Sequence, residues 1–302
     1  MAPAAANAHR PSTSHRGRGA RSECRSSLLA ILRFALWTGA VSLLLSLLII
    51  PWAHRAFSWW QVFRRCVSVG AAISLWVCIH KFERRSVGSY GLSASWVGTR
   101  SLLAGLLFGA GALGVLFSIH LLSGACQIQV TPDRWRLWWT LVGFIPAAIL
   151  ISVLEELVFR GVILQHLLTI SQSVAVAASS AVYALVHLKS PEWTLGTGFE
   201  LIGLVLLGGV LSLSYLMTQQ LYLSIGLHAA LAYGARINKL LIGFPDARHA
   251  WLLGTSRLVN GCLGWVILLA LGGVIVWWAK ANPRQLSPMP SRSAGGPSSR
   301  EA

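Results

Sequence analysis

Long runs of apolar residues, each nearly free of charge, recur along the whole chain and set its organisation. A membrane-spanning helix needs about 20 mostly apolar residues, and windows of that kind fall near residues 28–50, 101–123, 137–154, 201–218 and 258–279. Shorter or more polar windows occupy residues 65–80, 172–188 and 221–241. Together these windows predict an all-α, polytopic transmembrane helix bundle of about eight spans. Residues 159–170 either lengthen the helix before them or bend across the interface.

Composition strengthens this picture. The chain is 55% hydrophobic and only 11% charged, with a mean hydropathy of +0.63, too apolar for an ordinary soluble domain. Its net charge of +16 would suit a nucleic-acid partner only if a folded soluble module carried a basic face. The basic residues instead collect in tails and loops, so no nucleic-acid partner is expected. Arg10, Arg16, Arg18, Arg21, Arg25 and Arg33 precede or enter the first span, Lys81, Arg84, Arg85 and Arg100 lie between the second and third, and Lys280, Arg284, Arg292 and Arg300 follow the last. The positive-inside rule puts both termini and that loop in the cytoplasm, which requires an even number of spans. The expected location is a multi-pass position in a plasma membrane of bacterial type.

Residues 1–27 read as a disordered basic tail at the membrane surface. Their Arg, Ser and Ala content also fits a transit peptide. Residues 281–302, rich in Pro, Ser and Gly, read as a second disordered tail. Fourteen tryptophans, many near predicted span ends, form an aromatic belt. Five scattered cysteines give neither a disulfide framework nor a zinc knuckle. Gly203, Gly208 and Gly209 suit close helix packing.

The N-terminal helices, residues 28–134, carry almost nothing ionisable in their spans. From about Trp135 to Gly243 the composition changes, and glutamate, histidine and glycine enter the apolar windows. Glu155 and Glu156 are adjacent within Val153-Leu154-Glu155-Glu156-Leu157-Val158-Phe159-Arg160, in a chain with only 9 acidic residues. An ionisable residue at bilayer depth costs roughly 2.5–3.5 kcal/mol even on lenient insertion scales, and marks a functional site by default. His187 and His228 lie in two other spans. Buried charges need partners, and the least costly arrangement brings all four groups into one polar pocket. Arg160, four residues after Glu156, is placed to pair with it, leaving Glu155 freer to act. Tyr183 shares a helical face with His187.

A carboxylate and a neutral imidazole converging on one water form a general base, and a second histidine can donate a hydrogen bond to an oxyanion. No G-x-S-x-G, Cys–His pair or H-E-x-x-H supports a covalent nucleophile or a thermolysin-like zinc helix. One glutamate with two histidines remains a ligand set suited to a divalent metal such as zinc.

These residues resemble the CPBP intramembrane proteases, which include type II CAAX prenyl endopeptidases and bacteriocin-processing and abortive-infection-like members. Glu155-Glu156-Leu157-Val158-Phe159-Arg160 matches that family's E-E-x-x-x-R motif. Tyr183-x-x-x-His187 is similar to its F-x-x-x-H, with Tyr for Phe, and His228 falls on its H-x-x-x-N, whose last position here is Ala232. The resemblance covers about residues 135–280. It implies a catalytic transmembrane core with a conical cavity, in which Glu155 and His187 activate water, His228 helps hold the oxyanion, and Glu156 with Arg160 supports them. It also implies a peptide or protein substrate, lipidated or membrane-bound. Ala232 cannot donate a hydrogen bond as Asn could, so the oxyanion should rely on His228.

The expected activity is hydrolysis of a peptide bond near the membrane surface. Two other readings use the same residues: a proton-coupled transporter with the Glu/His set as its relay, and a catalytically silent scaffold or immunity-type member of the same family.

Overall fold

The computed structural model describes residues 13–84, 86–93, 95–188, 193–244 and 249–283. Of the two expected tails, residues 1–12 and 284–302 lie outside the described residues. The first helix, α1, extends over Thr13–Ala53, beginning well before its apolar run. It is followed by α2 (Trp59–Val77), which ends in a π-helical turn at Cys78–Glu83, and by α3 (Trp96–Leu122). A short strand β1 (Gln127–Ile128) leads to α4 (Arg134–Leu141) and α5 (Phe144–Glu156); the helix then continues as a π-helical stretch, Leu157–Leu164, into α6 (Gln165–Leu167). The rest comprises α7 (Gln172–Val186), α8 (Leu195–Thr218), α9 (Tyr222–Leu241), β2 (Ile242–Gly243), α10 (Ala250–Leu253) and α11 (Cys262–Ala281).

Local chemistry fixes the helix starts. Ser58, Ser95, Asp133, Ser171 and Thr194 each accept a backbone N–H of the first turn of the helix that follows, satisfying donors that would otherwise be orphaned at an apolar interface. At the other end of α8, Gln219 adopts a left-handed conformation (φ 54°) and stops the helix.

All eight apolar segments are helical. By length and composition five of the helices can cross a membrane: Ser22–Ala53, Trp59–Glu83, Trp96–Leu122, Leu195–Thr218 and Cys262–Ala281. A sixth is counted when the bent pair Arg134–Leu141 and Phe144–Leu167 is taken as one span. The protein is therefore an integral, multi-pass membrane protein. Many large aliphatic and Trp side chains stand exposed along these helices, as a lipid-facing surface requires.

Two details differ from the simplest reading of the windows. The run 137–154 is not one straight helix: the chain bends by 40° between α4 and α5, at Val142 and Gly143. Trp135, Trp138 and Trp139 stand exposed on α4 beside Arg134 and Arg136, a composition that suits the interface rather than the hydrocarbon. Of residues 159–170, whose course was open, those up to Leu167 prolong the glutamate-bearing helix, first in the buried π-helical stretch Leu157–Leu164 and then in α6.

The connections sort into two groups at opposite ends of the bundle. At one end Leu221 N–H bonds to the Gly91 carbonyl (3.0 Å), and the Gln165 side chain donates to the Tyr90 carbonyl (3.3 Å). At the other, β1 pairs antiparallel with β2, His120 Nε2 donates to the Leu253 carbonyl (2.7 Å), and Arg257 forms an ion pair with Glu200. Successive long helices alternate between these ends. α3 and α9 cross most closely, because Gly105, Gly109 and Gly226 leave no side chain between the two backbones; a Cβ at Gly226 would run into the Leu102 carbonyl.

Candidate active site

Three helices bring the polar residues together. Glu155 and Glu156 end the α-helical part of α5, His187 caps the C-terminus of α7, and His228 lies in the second turn of α9. Glu156 and Arg160 are fully buried and joined at 2.8 Å, Arg160 Nη1 donating to Glu156 Oε1. Arg160 Nη2 donates to the Gly208 carbonyl on α8 (3.0 Å). The guanidinium also lies over the Tyr183 ring, 5.0 Å from its centroid. Arg160 is thus held by Glu156, the Gly208 carbonyl and the Tyr183 ring, while Arg160 Nε and Glu156 Oε2 have no hydrogen-bond partner among the described residues.

His228 completes the pair. Its Nδ1 lies 2.9 Å from Glu156 Oε1. That oxygen already accepts from Arg160 and belongs to an ionised carboxylate, so His228 Nδ1 carries the hydrogen and donates it. His187 is fixed in the same way, its Nδ1–H donating to the Tyr183 carbonyl at 2.8 Å, a bond that a residue one turn ahead supplies at the end of α7. Both imidazoles then direct Nε2 at one atom, Glu155 Oε2, at 3.2 Å from His187 and 3.6 Å from His228.

This convergence has a chemical consequence. With Nδ1 protonated on both rings, neutral imidazoles would present two lone pairs to an acceptor oxygen. A proton on either Nε2 would instead be directed at the Glu155 carboxylate. Glu155 and His187 keep 26% and 29% of their side-chain surface exposed, whereas Glu156 keeps none and His228 only 6%. The pair that a substrate or water can reach is the pair not consumed by structural bonds.

Tyr183 forms the floor. It packs edge-on to Phe159 (5.1 Å) and His228 (6.0 Å) and lies 4.2 Å from His187, centroid to centroid. Ser179 donates to the Phe159 carbonyl (3.2 Å), tying α7 to the π-helical stretch. Ala232 falls one turn after His228 on α9 and is half-buried.

Sequence reasoning had assigned Gly208 to packing alone. It does let α7 approach, since a Cβ there would press on Ser180, but its carbonyl also holds Arg160. Two polar clusters had no place in the sequence reading. One is the Glu200–Arg257 ion pair; the other joins Glu83 to the Tyr90 hydroxyl (2.6 Å) and His166 Nε2 (3.5 Å) at the opposite end of the bundle. Glu83 and Glu200 were findable as two of nine acids; their partners are distant in sequence and were not.

The metal question can be tested on the donors. Among the described residues no group of three or more His, Cys, Asp or Glu side chains is arranged to hold an ion. Each imidazole gives Nδ1 to a protein acceptor and keeps Nε2 toward Glu155, the orientation a metal-ligating histidine also takes.

Fold and site together define a multi-pass, all-α membrane protein with a Glu/His cluster among its buried helices. Residues 137–233, which run from α4 into α9, match the family model for type II CAAX prenyl endopeptidase Rce1-like proteins. This is a family of CAAX-type membrane proteases that act on protein or peptide substrates, and the match contains Glu155, Glu156, Arg160, Tyr183, His187 and His228. No curated protein matches the chain.

Proposed function

We propose that this protein is an intramembrane endopeptidase that cleaves a peptide bond near the membrane surface with a water activated by Glu155. The observation that carries this reading is the convergence of His187 and His228 on Glu155 Oε2. Glu155 takes a proton from a water held against His187. The hydroxide oxygen bonds to the scissile carbonyl carbon, and the carbonyl π pair moves onto oxygen. His228, protonated at Nε2 and steadied by Glu156 at Nδ1, faces that oxyanion. As the carbon–nitrogen bond breaks, Glu155 returns its proton to the leaving amine, giving a carboxylic acid and a free amine. Arg160 and His228 share Glu156 Oε1, so the carboxylate steadies the imidazolium of His228 while its own charge is balanced by Arg160.

The test compares membrane proteomes of cells carrying the native chain and Glu155→Gln. A polypeptide that accumulates uncut with Glu155→Gln and is cleaved by the purified native protein identifies both reaction and substrate. Equal cleavage by native protein, Glu155→Gln and His187→Ala would overturn the proposal. A pH-driven flux across proteoliposomes that Glu155→Gln abolishes, without cleavage, would instead favour a transporter.

A further inference from the structure

The segment between α2 and α3 lies outside the family-matched residues 137–233, yet it touches two of the helices that carry the site. Tyr90 is fully buried and packs on the glutamate-bearing helix at Gly161, where an added Cβ would stand 3.5 Å from both Tyr90 Cβ and Tyr90 Cδ1. The Tyr90 carbonyl accepts from the Gln165 side chain, one turn further along that helix (3.3 Å). The next residue, Gly91, serves the helix of His228. Its carbonyl accepts Leu221 N–H just ahead of α9 (3.0 Å). At a φ of 97° it lies so close to this turn that an added Cβ would come within 3.2 Å of Gln220 Cα and Leu221 N. Two consecutive residues therefore brace both helices.

The spacing of these helices matters because they meet at one bond, His228 Nδ1 to Glu156 Oε1 (2.9 Å). Gly161 directly follows Arg160, which donates to that same oxygen, and His228 stands two turns beyond Leu221. The braced stretch Leu157–Leu164 is π-helical, a rare form that collects at functional sites. Tyr90 is itself anchored. Its hydroxyl donates to Glu83 Oε2 (2.6 Å), and the other oxygen of that carboxylate lies 3.5 Å from His166 Nε2 on α6. His166 Nδ1–H donates in turn to the Val162 carbonyl (2.8 Å), inside the π-helical stretch. Glu83 thus ties the Tyr90 hydroxyl to the helix that the Tyr90 ring supports. A phenylalanine would fill the same space and lose the tie.

We propose that Tyr90 is a positioning residue for the reaction: held by Glu83, it fixes Arg160 and Glu156 through Gly161, while Gly91 beside it fixes His228 through Leu221. The proposal rests on the peptidase reading above. It gives the segment before α3 a part in turnover that acts wholly through other residues, because a displacement of about 1 Å among reacting groups can cost about 100-fold in rate.

The experiment uses full-length protein reconstituted in liposomes, with the polypeptide found by the proteome comparison as substrate. It measures kcat and KM for native protein, Glu155→Gln, Tyr90→Phe, Glu83→Ala, Glu83→Gln and the double variant Tyr90→Phe/Glu83→Ala. Tyr90→Phe and Glu83→Ala should each lower kcat by about tenfold with KM within about twofold, part of the loss a misplaced site can suffer. Glu83→Gln keeps an oxygen that accepts the Tyr90 hydroxyl and should restore most of the turnover that Glu83→Ala loses. The double variant should lose no more than either single variant, as two ends of one tie do. A kcat within about threefold of native in Tyr90→Phe and Glu83→Ala, or a loss carried by KM alone, would overturn the role. Equal kcat in Glu83→Gln and Glu83→Ala, or losses that multiply in the double variant, would also overturn it. Should Tyr90→Phe melt early, the two Glu83 variants, at a partly exposed position, decide the matter by themselves. If native protein and Glu155→Gln cleave equally, the peptidase reading itself has failed, an outcome distinct from any difference at Tyr90 or Glu83.

Discussion

His228 donates its Nδ1–H to Glu156 Oε1 across 2.9 Å, joining α9 to α5 through residues 72 positions apart. The same oxygen accepts from Arg160. One buried carboxylate oxygen therefore sets both the tautomer of an imidazole and the position of a guanidinium, and removing Arg160 would leave it without a balancing cation.

Arg160→Ala should consequently be severely destabilising. Side-chain exposure is 0% for both members of the pair, and breaking a buried ion pair on one side costs about 3–5 kcal/mol. Thermal melting in detergent should show a large drop, while Glu155→Gln, at a half-open position, melts near the native temperature.

The Ala232 position should accept a further oxyanion donor. An Asn one turn after His228 lies on the same face of α9 and brings an amide N–H to the site. Ala232→Asn should raise turnover by about tenfold or more, within the range one oxyanion donor supplies. Substrate cleavage by Ala232→Asn, compared with the native protein, measures this directly.

Close approach of α3 and α9 should be intolerant of a single methyl. Gly226→Ala places a Cβ against the backbone of Leu102 and Leu106, which cannot rotate away as a side chain would. Overpacking of this kind costs about 1–3 kcal/mol, and the loss should appear as a lower melting temperature. Gly111, with open space around it, should accept Ala with no such loss.

The two groups of connections predict opposite labelling. Ser89 and Gln129 are both exposed, the first beside Gly91 at one end of the bundle and the second beside β2 at the other. In a cysteine-free background, a membrane-impermeant maleimide added to sealed vesicles should label only one of Ser89→Cys and Gln129→Cys, and inverted vesicles should give the reverse.

Much of this architecture is legible in the chain because membrane proteins expose their logic to hydropathy. The apolar windows mark the helices, and Glu155, Glu156, His187 and His228 stand out because charge at depth is costly. Arg160 follows from its four-residue spacing. What the chain did not reveal depends on backbone geometry. Whether a helix continues in α or π form after Glu156 is decided by tertiary packing, here by Ser179 on the Phe159 carbonyl and by Tyr90 against Gly161. The break at Gly143 was hidden inside an apolar average, since Trp138 and Trp139 count as hydrophobic while preferring the interface. The pinning of both Nδ1 atoms could not be read at all, because one acceptor is a main-chain carbonyl and the other a residue on a different helix.

The brevity of α7 has a consequence for the lipid around it. Fifteen residues rise about 22 Å, against a hydrocarbon thickness of about 30 Å. A helix this short meets lipid by local thinning of the bilayer, by snorkelling of flanking side chains or by cover from longer neighbours, and α8, which packs against it, is long enough to supply that cover.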